Sequence, residues 1–157
     1  LWENVTDEAL FLLKSAANYH DAGFIEQYDA NEPVGARLAG EILPRFGYTE
    51  GDIKVIQGLI YATRIPHEPK NHLEEILCDA DLDYLGRDDF HEIADNLRRE
   101  LREHGKIKSD RQWDEIQVGF LKMHKYFTKT AIETRREKKL QHLKEVEERL
   151  KRDEYAD

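Results

Sequence analysis

The chain has 157 residues, 39% hydrophobic and 36% charged, with a formal net charge of −9. That length holds one sizeable core with an appendage, and apolar residues recur too regularly for a disordered polymer. Residues 1–105 carry 10 Lys/Arg against 22 Asp/Glu and residues 106–152 carry 14 against 8; the acidic part excludes a nucleic-acid footprint, and the basic part, interleaved with Glu, reads as a solvated helix surface.

The first helix is predicted to start at Thr6 or Asp7, either able to cap it, and to run through Leu10, Leu13, Ala16 and Ala17 to a stop near Gly23. The second opens at Pro33 and carries Val34, Leu38, Ile42, Leu43 and Phe46 before Gly47 ends it. Thr49 and Asp52 make a capping pair for the third, whose Ile53, Ile56, Leu59 and Ile60 face one way until Pro66 forbids continuation. Asn71 with Glu74 opens the fourth, with Leu73, Ile76, Leu77, Ala80 and Tyr84, stopping at Gly86. Asp89 with Glu92 opens the fifth, from Phe90 through Ile93, Leu97 and Leu101 to Gly105. Ser109 with Gln112 starts the sixth, through Trp113, Ile116, Phe120, Met123 and Phe127.

Beyond Thr130 the apolar residues thin out, and Leu143, Val146 and Leu150 keep coiled-coil spacing over too few heptads for a coiled coil. A fraying or partner-docked helix is expected there. With no alternating strand pattern, internal repeat or low-complexity tract, the fold class is all-α: a helical bundle with a long C-terminal helix, organised as a domain over 1–131 and a charged helical extension over 132–157.

Cys78 is the one cysteine, so no internal disulfide forms. No apolar run approaches a membrane span and no signal-peptide layout opens the chain, so a cytoplasmic protein without a membrane partner is expected. The sequence begins at Leu1 without an initiator Met and reads as a fragment of something longer.

Polar residues fall where the helical pattern calls for apolar ones. At about 100° per residue, Leu10, Leu13, Ala17, His20, Asp21 and Phe24 share one sector, so the buried stripe of the first helix finishes in a His-Asp pair. Asp81 lies within the stripe of the fourth helix, whereas Asp79 and Asp83 project to its other side. An ionised carboxylate is rarely buried without a positive partner, because desolvation costs several kcal/mol. A divalent cation satisfies Asp21 and Asp81 together, and His20 beside them gives a mixed nitrogen and oxygen set suited to Mn, Fe, Co, Ni, Zn or Mg. Arg37, Arg45 or Lys14 is the alternative partner. His67 and His72, flanking the loop before the Asp81 helix, are read as surface histidines, with either as the alternative source of a further ligand, and His91, His104, His124 and His142 as packing or solvent-facing ones.

The segment AANYHDAGF at 16–24 resembles the motif of the HD superfamily of metal-dependent phosphohydrolases. NEPVGARLAGEILPRFGY at 31–48 is similar to that family's next helix, and ILCDADLDYLGRDDF at 76–90 to its Asp-bearing helix. WDEIQVGFLKMHKYFTKTA at 113–131 is similar to the C-terminal helix of a bacterial subgroup often attached to signalling or cyclase domains. The resemblance implies that His20, Asp21 and Asp81 are metal ligands. It also implies hydrolysis of a nucleotide or other phosphate ester by a metal-activated water, with Asp21 or Asp81 holding and deprotonating that water. The family's first His ligand lies on an earlier helix, and no His precedes His20 here. Asn31 and Thr63 stand where relatives with two metals carry further histidines, so one divalent ion is expected. The expected partners are a small phosphate ester or nucleotide, and a second copy or a neighbouring signalling domain. A different reading of the same resemblance is a degenerate HD domain that binds a nucleotide or protein and regulates without turnover.

Overall fold

The computed structural model describes residues 3–153 and 155 and is all-helical, with seven α-helices linked by loops and 3-10 turns. The ends of the expected 1–131 and 132–157 segments, Leu1, Trp2, Ala156 and Asp157, lie outside the described residues, as does Glu154. Among the described residues there is no strand, and no helix is long and apolar enough to cross a membrane. The chain divides into two compact units, Leu1–Asp81 and Leu82–Asp157.

The first unit holds α1 (Asp7–Tyr19), α2 (Glu32–Ile42), α3 (Glu50–Ala62) and α4 (His72–Asp81). The expected caps hold these helices. Thr6 Oγ1 accepts from the Ala9 amide at 3.1 Å, and Thr49 with Asp52 closes a reciprocal capping box. Asn71 Oδ1 accepts from the Glu74 amide at 3.1 Å, while Glu74 Oε2 takes the Lys70 amide at 2.6 Å. The core gathers Leu12, Leu13 and Ala16 of α1, Ala36 and Ala39 of α2, Ile56, Leu59 and Ile60 of α3, and Leu77 of α4.

The buried face of α1 is turned from the expected one: Leu12, Leu13, Ser15 and Ala16 point inward, and Ala17 and Phe24 are exposed. The helix stops at Tyr19 and hands over to a 3-10 turn at Ala22–Ile25, so helical periodicity does not extend to Gly23. Gly23 has a separate reason to be glycine, because a Cβ there would meet the Asn31 carbonyl oxygen at 2.0 Å. At the other end of the unit, α4 stops at Asp81 rather than Gly86. Its interior face is Leu77, Cys78 and Asp79, with Ala80 exposed, so the expectation that Asp79 faces away is corrected.

The second unit holds a 3-10 turn at Asp83–Gly86, α5 (Phe90–Glu103), α6 (Asp110–Met123) and α7 (Lys129–Arg152) around Leu85, Phe90, Trp113, Leu121 and Val146. Ser109 caps α6 as expected, with its Oγ accepting from the Gln112 amide at 3.1 Å. Asp89 does not cap α5 with its side chain, because Arg87 takes its carboxylate. The inward face of α6 is Trp113, Asp114, Gln117 and Leu121, leaving Ile116 and Met123 exposed. The helix ends at Met123, where the buried Lys139 ammonium donates to the carbonyls of Leu121 at 3.2 Å and His124 at 2.5 Å. Those carbonyls are among the helix-end acceptors left without an intrahelical partner.

The charged C-terminal segment does not fray. Its α7 packs against α6 within the same unit, burying Ala131, Lys139, His142 and Val146. Arg149 donates to both oxygens of the buried Asp114, at 2.5 and 2.6 Å, and the Tyr155 hydroxyl donates to the same carboxylate at 2.6 Å.

Candidate metal centre

His20 is the C-cap of α1, and its backbone remains in the right-handed helical region. Its Nδ1–H donates to the Ala17 carbonyl at 2.8 Å, which leaves Nε2 as the nitrogen with the lone pair. Such an outer hydrogen bond fixes the tautomer and plane of a metal-ligating imidazole. Nε2 lies 3.2 Å from Asp21 Oδ2 and 3.3 Å from Asp81 Oδ1. The three residues picked out by the sequence therefore meet in one place, from the end of α1 and the last residue of α4.

A fourth residue joins them. His67, in the loop between α3 and α4, has a side chain only 3% exposed and carries Nε2 to 3.3 Å from Asp81 Oδ2. The expectation of a surface histidine is corrected. Both ring nitrogens are buried and outside good hydrogen-bond geometry; Nε2 faces Asp81, whereas Nδ1 has no described partner, which costs about 1–3 kcal/mol unless something engages it. Asp81 is thus flanked by a histidine on each carboxylate oxygen. Burial pushes its carboxyl up, but His20 and His67 more than offset this and the net shift is downward.

Asp21 differs from the expectation, since its side chain is 62% exposed against 21% for Asp81. Only Asp81 carries the burial argument. Among the described residues neither carboxylate has an Arg or Lys ion-pair partner: Arg37 is held by Glu41 and Glu26, and Arg64 lies 3.8 Å from Glu32. Facing Asp21 and then Asp81, the His20 imidazole is pushed up to about 10, so that in metal-free protein a proton occupies the place between them.

Two imidazoles and two carboxylates are a donor set of the type that divalent cations take. Ligands at about 2.0–2.2 Å from an ion stand roughly 3.0 Å apart in an octahedron and roughly 3.4 Å apart in a tetrahedron; the observed separations are 3.2–3.3 Å. The contacts run as a chain, Asp21 to His20 to Asp81 to His67, rather than a closed ring. Among the described residues, the trio whose ligand atoms all lie within 4.8 Å of one another is His91, His142 and Glu145 of the second unit. No three of the ligand atoms of His20, Asp21, His67 and Asp81 lie within 4.8 Å of one another, so closing this set around one ion takes movement of more than one side chain.

A cavity of about 560 Å³ is lined by Tyr61 of α3 and by Arg64, Ile65, Glu68 and Lys70 of the loop that carries His67. It is roomy enough for a small phosphate ester or nucleotide, which occupy sites of roughly 300–1,000 Å³. Its walls carry two cations, Arg64 and Lys70, two carboxylates, Glu68 and Glu74, and the Tyr61 ring. Next to the centre, Cys78 is fully buried, its Sγ 3.1 Å from the Ala62 carbonyl oxygen, and burial followed by the Asp81 and Asp79 charges pushes its thiol up to about 12.

Sequence reasoning offered His67 only as one of two alternatives for a further ligand and preferred a surface histidine. One histidine within a proline-flanked loop has no periodicity to mark it, and only its tertiary placement against Asp81 distinguishes it. Comparison of the chain with protein-family models, with curated proteins and with solved structures gave no match in any of the three.

Proposed function

We propose that the chain is an HD-type metal-dependent phosphohydrolase acting on a nucleotide or another phosphate ester, with one divalent cation held by His20, Asp21, His67 and Asp81. The observation that carries this reading is the buried His67 ring, without hydrogen bonds and directed at a carboxylate that His20 flanks from its other oxygen. A cation held by Asp81 would give both imidazoles a partner once the side chains close on it.

When bound, such an ion supplies an acidified water as nucleophile and offsets charge developing on phosphoryl oxygens. The protein does the rest. Asp81, shared between two histidines, anchors the site and has no oxygen left over for proton transfer. Asp21 faces His20 with one oxygen and reaches solvent, so it is the group that holds the attacking water and accepts its proton. His20 is a ligand oriented by the Ala17 carbonyl. Arg64 and Lys70, on the cavity wall, neutralise substrate phosphate, and Tyr61 offers a ring face to a base or other flat group.

The test is metal content of protein purified without chelator, followed by a screen of phosphomonoesters, cyclic nucleotides and nucleoside phosphates with Mn²⁺ or Co²⁺. The reading expects bound metal and turnover, with Asp81→Asn losing the turnover and the ion of this centre. Wild-type and Asp81→Asn proteins with the same metal content and the same rate would end it.

A further inference from the structure

The second unit contains a histidine-carboxylate trio that the phosphohydrolase reading does not use. His91 stands in the first turn of α5, and His142 and Glu145 lie three residues apart on α7, a spacing that places both on one face of the helix. Their ligand atoms all lie within 4.8 Å of one another. We infer that His91, His142 and Glu145 form a second metal site, selective for a borderline transition ion such as Zn²⁺ or Ni²⁺, that ties α7 to α5.

The surroundings of each residue argue for this. His142 is 2% exposed, and its Nδ1–H donates to the Leu85 carbonyl at 2.9 Å, so Nε2 carries the lone pair. No described group hydrogen-bonds that Nε2. The Phe90 ring stacks on the imidazole at 4.4 Å and 9°, fixing its plane. Glu145 is held on its far side, where Gln141 Nε2 donates to Oε1 at 2.8 Å, while Oε2 faces His91 Nε2 at 2.8 Å. Two of the three donors thus have their other polar atom engaged by an outer partner, the arrangement that orients the ligands of protein metal sites.

The donor set decides the ion. Two imidazoles and one carboxylate make a nitrogen-rich set, which suits zinc, nickel, cobalt or copper and does not suit magnesium or calcium, whose ligands are oxygens. Three protein ligands leave a further position for water. His91 and Glu145 are 50% and 39% exposed in their side chains, so an ion reaches the site from solvent and the pair parts to admit it. The plain alternative is a surface ion pair beside a core histidine, and that alternative binds no metal.

The experiment is equilibrium dialysis of the full chain, stripped by chelator, against Zn²⁺ or Ni²⁺ near neutral pH, with metal per chain read by elemental analysis. His91→Ala and Glu145→Ala change exposed side chains, and far-UV circular dichroism confirms that they stay folded. Each is expected to hold one ion fewer than wild type, or to raise the Kd of one ion at least about tenfold. Both variants equal to wild type in count and in Kd, or no bound ion in wild type, overturns the inference. Asp81→Asn in the same assay keeps the two sites separate: a failed phosphohydrolase centre leaves its count unchanged while His91→Ala still removes an ion.

Discussion

His67 Nε2 stands 3.3 Å from Asp81 Oδ2 with its side chain almost wholly buried, and neither of its ring nitrogens is hydrogen-bonded. His67→Gln is therefore expected to weaken Mn²⁺ or Zn²⁺ binding at this centre by about 10–100-fold, with helicity unchanged. Isothermal titration of His67→Gln beside wild type measures this, and equal affinities would remove His67 from the site.

The His20 imidazole gives the metal-free protein a defined pH response. Its value is raised from 6.5 to about 10 by Asp21 and Asp81. A group whose folded value exceeds its unfolded one stabilises fully below the unfolded value, and that contribution disappears as pH rises through the folded value. The stability advantage of metal-free wild type over His20→Gln, measured by urea denaturation, is thus expected to be full below about pH 6 and to shrink progressively between about pH 6.5 and 10. A gap that widens over that interval contradicts the assignment. Metal loading near neutral pH displaces the same proton, so Zn²⁺ addition should release about one proton from this centre.

Gly35 sits inside α2, where alanine would ordinarily favour the helix by about 1 kcal/mol. Here a Cβ would lie 2.4 Å from the Tyr19 carbonyl oxygen. That is a backbone atom at the end of α1, next to His20, and it cannot step aside alone. The clash outweighs the propensity, because overpacking of this kind costs about 1–3 kcal/mol. Gly35→Ala is expected to lower stability in chemical denaturation and to weaken metal binding together; a stabilised variant would show that α1 and α2 are less closely apposed.

Asp114 anchors α7 through Arg149 and Tyr155. Asp114→Ala leaves a guanidinium and a hydroxyl without their acceptor, and is expected to cost about 2–3 kcal/mol, less than for a fully buried pair because Arg149 keeps contact with water. Hydrogen exchange should rise along α7. Protection unchanged from wild type would mean that apolar contacts alone hold the helix.

These results also show which features can be read from residues alone. Caps at Thr6, Thr49 with Asp52, and Ser109 were foreseeable because donor and acceptor are three residues apart and form within one turn. Asp89 has the same pattern and fails, since Arg87 offers it a charged partner. His20 and Asp81 stood out as polar residues within the apolar stripes of their helices and within the HD-like segments, whereas the exposure of Asp21 depends on a 3-10 turn that periodicity does not reveal. The docking of α7 was hidden for a related reason. Lys139 and His142 occupy its inner face, and the partners that make their burial favourable are the Leu121, His124 and Leu85 carbonyls, distant in sequence.

The single cysteine has a practical consequence. Because Cys78 is enclosed in the first unit and its thiolate is suppressed, an alkylating reagent gains access only when α4 detaches from α3. The rate of its modification is a built-in clock for opening of that unit alone, readable by mass spectrometry without any engineered label, and cation binding by the neighbouring Asp81 should slow it.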